Sequence, residues 1–277
     1  MPEANSHHRS IFHPTDLTAD SRTAFLHALR LAVAAKARLS IMHVGDEEEP
    51  DQGTLPQVRE TLKRWGMITR TSDDAELKAL GLGVVKRMAQ GADPLETCVA
   101  HLEHHTPEMI VLYTHQREGR MSWLVPRMAE PLARRTHAPT LFIPHGRRGF
   151  VDAVSGSVRL RRILVPIAAA PSPQRAIGAA VQLARSLAEG PVTFTLLHVD
   201  DGTPAPETDP PHREGWTWER RTVSGEVAQA IVDAAGADTD LIAMATAGHD
   251  GFLDALRGST TERVLRLAAC PLLATSA

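Results

Sequence analysis

The residues best suited to chemistry form a run of small residues near the C-terminus. An apolar strand pattern ends just before Gly248, and the next helical pattern opens at Gly258, Ser259 and Thr260. Glycines let backbone N–H groups approach a phosphate closely, and a helix N-terminus adds unpaired donors and the positive end of its dipole. The two hydroxyl groups add further donors. An ordinary loop with a serine N-cap explains the same residues, because the chain has neither a Walker A sequence nor a G-x-G-x-x-G motif.

Histidines offer a second kind of chemistry, metal binding or proton transfer. His101, His104 and His105 share one face of a predicted helix, at a spacing that suits two zinc ligands. No cluster of carboxylates or cysteines completes such a site, so a polar helix face is the preferred interpretation. His43 and His198 end equivalent strands, and we interpret both as structural. Because no Ser-His-Asp or Cys-His order and no G-x-S-x-G motif is present, we predict no catalytic residue.

The elements that must position these residues occur twice in the chain. The segment Ile11–Asp16 corresponds to Ile163–Ala168, which lies 152 residues later. Met109–Thr114 corresponds to Leu241–Thr246, and from there to the end of each copy the separation is a constant 132 residues. A repeat of this length indicates a duplicated domain rather than a solenoid unit.

Each copy alternates strands with helices, which predicts an α/β fold with parallel strands and right-handed crossovers. The predicted strands are Ser10–Pro14, Leu39–Val44, Gly83–Met88, Glu108–Thr114 and Thr140–Ile143 in the first copy, and Ile163–Pro166, Val192–Val199, Trp216–Val223, Asp240–Thr246 and Leu272–Thr275 in the second. The first predicted helix has the apolar face Ala24, Ala28, Leu31, Ala32 and Ala35. The other predicted helices are Thr54–Trp65, Asp73–Leu80, Pro94–His105 and Trp123–Thr136, then Ser172–Ala188, Gly225–Ala235 and Leu256–Leu267. The proline-rich segment Asp201–Pro211 cannot be helical, so the second copy lacks one helix.

Composition sets the remaining limits. The chain has 277 residues and a formal net charge of −3, so it has room for two domains and no global positive field that would attract nucleic acid or an anionic membrane. Cys98 and Cys270 lie in different halves, which argues against a disulfide framework. The N-terminus lacks the apolar core of a signal peptide, so we expect a cytoplasmic protein. We expect a first domain over residues 1–145, a flexible linker over 146–159 and a second domain over 160–277.

Both copies resemble universal stress protein domains, and the whole chain resembles a tandem universal stress protein. In the ATP-binding branch of that family, two glycines separated by two residues are followed, nine residues on, by Gly-Ser or Gly-Thr. Gly248, the nine residues after it, Gly258 and Ser259 match this pattern, with Ala245 in place of the first glycine. Glu262-Arg263-Val264-Leu265, continuing to Cys270-Pro271, also matches the family's closing helix and strand. The resemblance implies an adenine nucleotide alpha hydrolase-like fold, with two five-stranded, mainly parallel sheets packed as a pseudo-dimer through an antiparallel pair of last strands.

Each copy departs from the family pattern at a different place. The family's Asp near adenine and ribose, two residues after the strand-one proline, is Asp16 in the first copy but Ala168 in the second. Conversely, the first copy replaces the glycine loop with Tyr113, Gln116, Pro126 and Arg127. We therefore expect no triphosphate held in the family's manner in the first copy. His115 and Arg117 could bind a different anion there, although a structural or solvated role is the preferred interpretation.

The resemblance implies a stress-response protein that binds an adenine nucleotide, ATP with Mg²⁺ first among the candidates, in the second copy. The expected contacts with the base and sugar are Val165, Pro166, Ile167, Val199 and Gly225, and the expected contacts with the phosphates are Ala245, Gly248, Gly258, Ser259 and Thr260. The protein would act through regulated interaction with an unidentified protein partner, and any slow ATP hydrolysis would be incidental. The alternative is an interaction module without nucleotide, in which both sites have decayed. A homodimer of whole chains stays open.

Overall fold

The computed structural model of the chain describes residues 9–45, 52–91, 93–114, 138–147, 149–246 and 260–276. The strands are β1 (Ser10–Pro14), β2 (Arg38–Gly45), β3 (Gly83–Gln90), β4 (Met109–Thr114), β5 (Thr140–Pro144), β6 (Arg162–Ile167), β7 (Val192–Asp200), β8 (Trp216–Ser224), β9 (Leu241–Thr246) and β10 (Leu272–Ser276). The α-helices are α1 (Arg22–Ala35), α2 (Val58–Arg64), α3 (Asp74–Ala79), α4 (Pro94–His104), α5 (Gln174–Leu187), α6 (Val227–Ala235) and α7 (Thr260–Leu267). The predicted helix Trp123–Thr136 lies outside the described residues.

The strands form one continuous sheet in the order β3-β2-β1-β4-β5-β10-β9-β6-β7-β8. Within each copy the five strands pair in parallel, and the two copies join through an antiparallel pair in which Leu141 lies opposite Leu273. This confirms the predicted seam. The register also repeats, since Ile11 pairs with Met109 in the first copy and Ile163 pairs with Leu241 in the second.

Alternating side chains along the inner strands pack against helices on both faces of the sheet. Ile11 belongs to the large core under α1 and α5, whereas Phe12 packs in a smaller core with Val99 and Leu102 of α4. In the second copy, Leu164 packs with residues of α6 and α7. Burial on both faces explains why the strands are nearly continuous apolar runs in the sequence.

The predicted helix Thr54–Trp65 is shorter in the structure. A 3₁₀ turn at Gln52–Thr54 comes first, and α2 begins only at Val58. Pro56 accounts for the delay, because proline disfavours helical geometry in the residue before it and has no N–H group for a helix interior.

A proline-rich strap replaces the missing helix of the second copy, as predicted. Arg220 of β8 donates to the carbonyl oxygens of Pro206 (3.5 Å) and Thr208 (3.2 Å). The indole N–H of Trp218 donates to the carbonyl oxygen of Pro211 at 3.1 Å. Side chains of β8 thus hold the strap in place without helical hydrogen bonds.

The segment between the copies is not the flexible linker that its glycines and serines suggest. It forms a hairpin in which Val151 and Val158 make an antiparallel bridge. The carboxylate of Asp152 accepts hydrogen bonds from the backbone N–H groups of Val154 (3.0 Å) and Ser155 (2.7 Å), which fixes the turn. Across the described part of the chain, we find no helix with the length and apolar character needed to cross a membrane.

Candidate functional site

A cavity of about 240 Å³ opens at the carboxyl ends of β6, β7 and β9. Strand β6 lies between β7 and β9, so the chain leaves β6 on one side and later returns on the other. Ligands of open α/β sheets bind at such a switch in strand order. The lining residues are Pro166, Ile167, Ala168, Ala170, Pro171, Leu197, Val199, Asp201, Val227, Ile231, Met244, Ala245, Thr246, Thr260 and Thr261.

Five of the residues predicted to contact a nucleotide meet around this cavity, although they come from four separate parts of the sequence. They are Pro166, Ile167, Val199, Ala245 and Thr260. Pro166 and Ile167 end β6, Val199 lies near the end of β7, and Ala245 lies near the end of β9. Parallel pairing brings these strand ends to one edge of the sheet.

Two other predicted residues do not line the cavity. Val165 is 0% exposed and belongs to the core under α5, because it lies two residues before the end of its strand. Gly225 lies between β8 and α6 with a φ of +134°, a conformation that favours glycine, so its structural role is to turn the chain. The remaining three, Gly248, Gly258 and Ser259, lie outside the described residues.

The sequence reasoning missed a carboxylate in the lining. Asp201 follows β7, and its Oδ1 accepts the hydroxyl and the backbone N–H of Thr203. These hydrogen bonds, the hydroxyl first, lower the pKa of Asp201 and keep it ionised. The sequence contained a signal for this residue, because Asp201 directly follows a parallel strand and ligands of such sheets bind beyond the carboxyl ends of the strands. Asp201 thus supplies to the cavity the kind of group that Ala168 does not.

Helices α6 and α7 are joined beside the cavity by a charged pair. The carboxylate of Glu226 caps α6 by accepting the N–H groups of Ala228 (3.2 Å) and Gln229 (3.0 Å). These hydrogen bonds, led by the one from Gln229, lower the pKa of Glu226. Arg263 of α7 reaches the same carboxylate at 2.7 Å. The pairing links the first turn of α7 to the start of α6.

The corresponding region of the first copy carries bulkier side chains. Tyr113 stands where the second copy has Ala245, is only 6% exposed, and contacts His145 through its hydroxyl. Asp16 is present, and its Oδ1 accepts the N–H (3.0 Å) and the hydroxyl (2.7 Å) of Thr18. The other first-copy positions considered above, His115, Gln116, Arg117, Pro126 and Arg127, lie outside the described residues.

The histidines of α4 pack against each other. The rings of His101 and His105 stack with centroids 4.5 Å apart. Burial, aided by the neighbouring charges of His105, Arg87 and His104, lowers the pKa of His101 to about 4. Within the described residues no group of three or more potential ligands is arranged to hold a metal ion. His43 binds the carbonyl oxygen of Thr15 at 2.8 Å, and His198 binds that of Thr203 at 3.0 Å, so both have structural partners.

Two buried histidines of the first copy were not singled out in the sequence. His13 binds the carbonyl oxygen of Val111 at 3.0 Å, and His27 binds that of Thr23 at 2.7 Å. Burial lowers the pKa of each to about 4, so both are neutral at physiological pH.

Two copies of a doubly wound α/β unit, joined edge to edge and with a cavity at a strand-order switch, define a tandem protein of the adenine nucleotide alpha hydrolase-like fold. The family model for the universal stress protein family matches residues 7–144 and 213–276. The chain therefore belongs to the universal stress protein family of stress-response proteins.

Solved structures agree on the fold. A universal stress protein from Archaeoglobus fulgidus DSM 4304 is 17% identical, with 96% of each chain covered and a TM-score of 0.63. A functionally unknown protein from Pseudomonas aeruginosa PAO1 is 15% identical, with 99% of this chain and 95% of that chain covered and a TM-score of 0.60. None of the curated proteins compared with the chain gave a match.

Proposed function

We propose that the second copy binds an adenine nucleotide, ATP with Mg²⁺ first among the candidates, and that the bound nucleotide regulates interaction with a protein partner in the cytoplasm. The observation that carries this proposal is the cavity at the strand-order switch, lined by five residues expected to contact a nucleotide. No residue is proposed as a nucleophile or general base.

The described lining fits the nucleoside part of such a ligand. The volume of the cavity, about 240 Å³, is below the roughly 300–1,000 Å³ of pockets that enclose whole drug-sized ligands, so the described cavity would hold the nucleoside rather than the whole nucleotide. Ile167, Val199 and Met244 offer apolar walls to a flat base, and the carboxylate of Asp201 can accept hydrogen bonds from hydroxyl or amino groups.

The phosphates would need the N-terminus of α7 together with Gly248, Gly258 and Ser259. Thr260 and Thr261 begin α7 and line the described cavity, which is consistent with this direction of approach. Mg²⁺ would be bound mainly through phosphate oxygens. Among the described lining residues, Asp201 offers the single carboxylate.

A second candidate function is interaction without nucleotide. Ala168 favours it, because this residue lines the cavity with a methyl group where ATP-binding relatives are expected to carry Asp. Asp201 favours the nucleotide, because it restores a carboxylate from the neighbouring strand end. Titration of the intact protein separates the two functions.

Isothermal titration calorimetry with ATP, AMP and cyclic AMP, each with and without Mg²⁺, tests the proposal. The decisive variant is Ala245→Tyr, which places the first copy's residue at the edge of the cavity. We expect its nucleotide affinity to fall at least about 100-fold, about 2.7 kcal/mol, because the ring would occupy ligand volume. Tyr113→Ala, the reciprocal change, should leave the affinity unaltered. Absence of a binding signal from the unaltered protein at millimolar nucleotide would favour the nucleotide-independent function.

A further inference from the structure

Two equivalent grooves flank helices α1 and α5 on one face of the sheet, near the seam between the copies. The internal repeat relates them, because each residue of α1 corresponds to the residue 152 positions later in α5. Burial follows the same correspondence, with Ala28 and Ala180 both fully buried. We call the groove beside α1 that the interdomain hairpin contacts the linker groove, and its equivalent beside α5 the open groove.

The interdomain hairpin occupies the linker groove. The ring of Phe150 is 2% exposed and meets the ring of His27 edge-on, with centroids 4.5 Å apart. The Nε2 atom of His27 accepts the N–H groups of Phe150 (3.0 Å) and Val151 (3.3 Å). Arg30, one turn further along α1, donates to the carbonyl oxygen of Gly156 at 3.1 Å. The groove therefore holds the hairpin through one aromatic side chain and several backbone groups.

The open groove is a cavity of about 380 Å³, within the size range of ligand pockets. Its base is apolar and its rim is charged. The apolar base consists of Ile11, Leu31, Ala35, Met109, Pro139, Ala179 and Leu183. The rim includes Arg9, Glu108, Arg175 and Gln182.

Two substitutions between the copies explain why this groove is open. Gly178 and Ala179 stand where the first copy has Leu26 and His27. Leu26 is buried, whereas a Cβ atom added at Gly178 would have no neighbour within 4 Å. The second copy thus lacks the imidazole that binds the hairpin and the bulk of the leucine beside it, and the described residues contain no second hairpin that fills this space.

We infer that the open groove binds a segment of a partner protein that presents an aromatic side chain with a carboxylate close to it in sequence. The aromatic ring follows from the equivalent groove, where Phe150 fills the apolar base. The carboxylate follows from the charges on the rim. Arg9 pairs with Glu108 at 3.5 Å, whereas Arg175 donates to the carbonyl oxygen of Ser276 and pairs with no carboxylate in the described part of the chain.

A polar side chain is also in place to bind the backbone of such a segment. Gln182 corresponds to Arg30, whose guanidinium binds a carbonyl oxygen of the hairpin. Its amide N–H groups can donate to a carbonyl in the same way. Binding of a partner segment in the open groove does not depend on the nucleotide cavity. If the segment does not bind, the proposal of nucleotide binding is unaffected.

The probe for the experiment is a fluorescein-labelled peptide with the sequence of residues 149–160, which carries Phe150 and, two residues on, Asp152. Fluorescence anisotropy with the intact protein should show saturable binding with a Kd on the order of tens of micromolar. The peptide with Phe150→Ala should bind at least ten times more weakly. The protein variant Gly178→Leu should also bind the unaltered peptide at least ten times more weakly, because leucine fills the groove.

Gly190→Leu is the matched control, since a Cβ atom there also has no neighbour within 4 Å but Gly190 lies outside the groove. It should bind the peptide as the unaltered protein does. Leucine at Gly178 is compatible with an exposed helix position and improves its helix propensity, so thermal unfolding should show an intact fold. Ala179→Phe serves as a second blocking variant.

Three results would overturn the inference. The first is the absence of saturable peptide binding, or binding that neither the Phe150→Ala peptide nor Gly178→Leu weakens. The second is that the protein does not bind the peptide but binds a fluorescent fatty acid, and that Gly178→Leu abolishes this binding. That result would identify a small amphiphile as the occupant. The third is concentration-dependent self-association in sedimentation that Gly178→Leu removes, which would identify a second copy of the chain.

Discussion

The two copies share a backbone plan and differ in where they leave space. At the ligand edge, the first copy carries Tyr113 and the second carries Ala245 at the same register position of β4 and β9. The tyrosine is buried in the first copy, whereas the alanine borders a cavity in the second. The comparison shows that the side chain at this strand end is one place where the two copies differ in the space they leave at the ligand edge.

The two copies also differ near the seam, where polar side chains of the first copy correspond to apolar side chains of the second. His13 and His27 of the first copy correspond to Val165 and Ala179 of the second. Both histidines are fully buried, and His27 holds the hairpin that closes the linker groove. At these two positions the first copy therefore carries buried histidines beside a filled groove, and the second carries apolar side chains beside an open groove.

The largest expected effect comes from emptying the linker groove. Phe150→Ala should lower the free energy of unfolding by about 3–5 kcal/mol, because it removes a fully packed aromatic ring and leaves a cavity. Urea unfolding followed by circular dichroism measures this. Val154→Ala, at a site that is 71% exposed in the same hairpin, should change stability little. Equal effects of the two variants would show that the groove contributes no stability.

Acidification should weaken the first copy more than the second. The pKa values of His13 and His27 are about 6.5 in the unfolded chain and about 4 in the folded one, so the unfolded chain binds more protons between those values. Above pH 6.5 both histidines are neutral in the folded and the unfolded chain, and folding carries no protonation penalty. As the pH falls from 6.5 towards 4, protonation of the unfolded chain lowers the free energy of unfolding. When the pH is lowered from 7 to 5, each histidine should reduce the free energy of unfolding by about 2 kcal/mol.

Urea unfolding at pH 7 and pH 5 tests this expectation. His13→Val introduces the second copy's residue and should reduce the loss of stability by about 2 kcal/mol. Val154→Ala, at an exposed site that carries no titratable group, is the control and should not change the pH dependence. An unchanged pH dependence in His13→Val would contradict the assigned protonation behaviour.

The smallest expected effect concerns the carboxylate of the second-copy cavity. Asp201→Asn should weaken nucleotide binding about 10-fold, equivalent to about 1.4 kcal/mol, because a charged hydrogen-bond acceptor becomes neutral. Ala168→Asp, which introduces the first copy's residue, should strengthen binding by a similar factor. Calorimetric titration measures both. If the unaltered protein binds nucleotide and Asp201→Asn binds it equally well, Asp201 has no part in recognition.

Most of the fold could be predicted from the sequence because the signals were local and repeated. Buried parallel strands appear as apolar runs such as Leu241–Thr246, and the proline-rich segment 201–211 excludes a helix by covalent geometry. The antiparallel seam followed from the family resemblance. The predicted start of α2 was wrong, because the apolar pattern continues through Pro56 whereas the helical backbone begins only at Val58.

The candidate site was predictable only in part. Pro166, Val199 and Thr260 could be assigned to one cavity because parallel strands end at one edge of the sheet. Val165 was misplaced because the sequence does not show how far from the strand end the cavity begins. Asp201 was missed because it belongs to a loop that the family pattern does not include.

The sequence by itself determined the duplication, the class of fold and the edge of the sheet where a ligand would approach, since these depend on periodicity and chain order. Only the tertiary structure decided that the hairpin after the first copy closes one groove while its equivalent beside Gly178 stays open. That outcome depends on which side chains, far apart in the chain, fill a shared volume, and packing of this kind has no signature in local sequence.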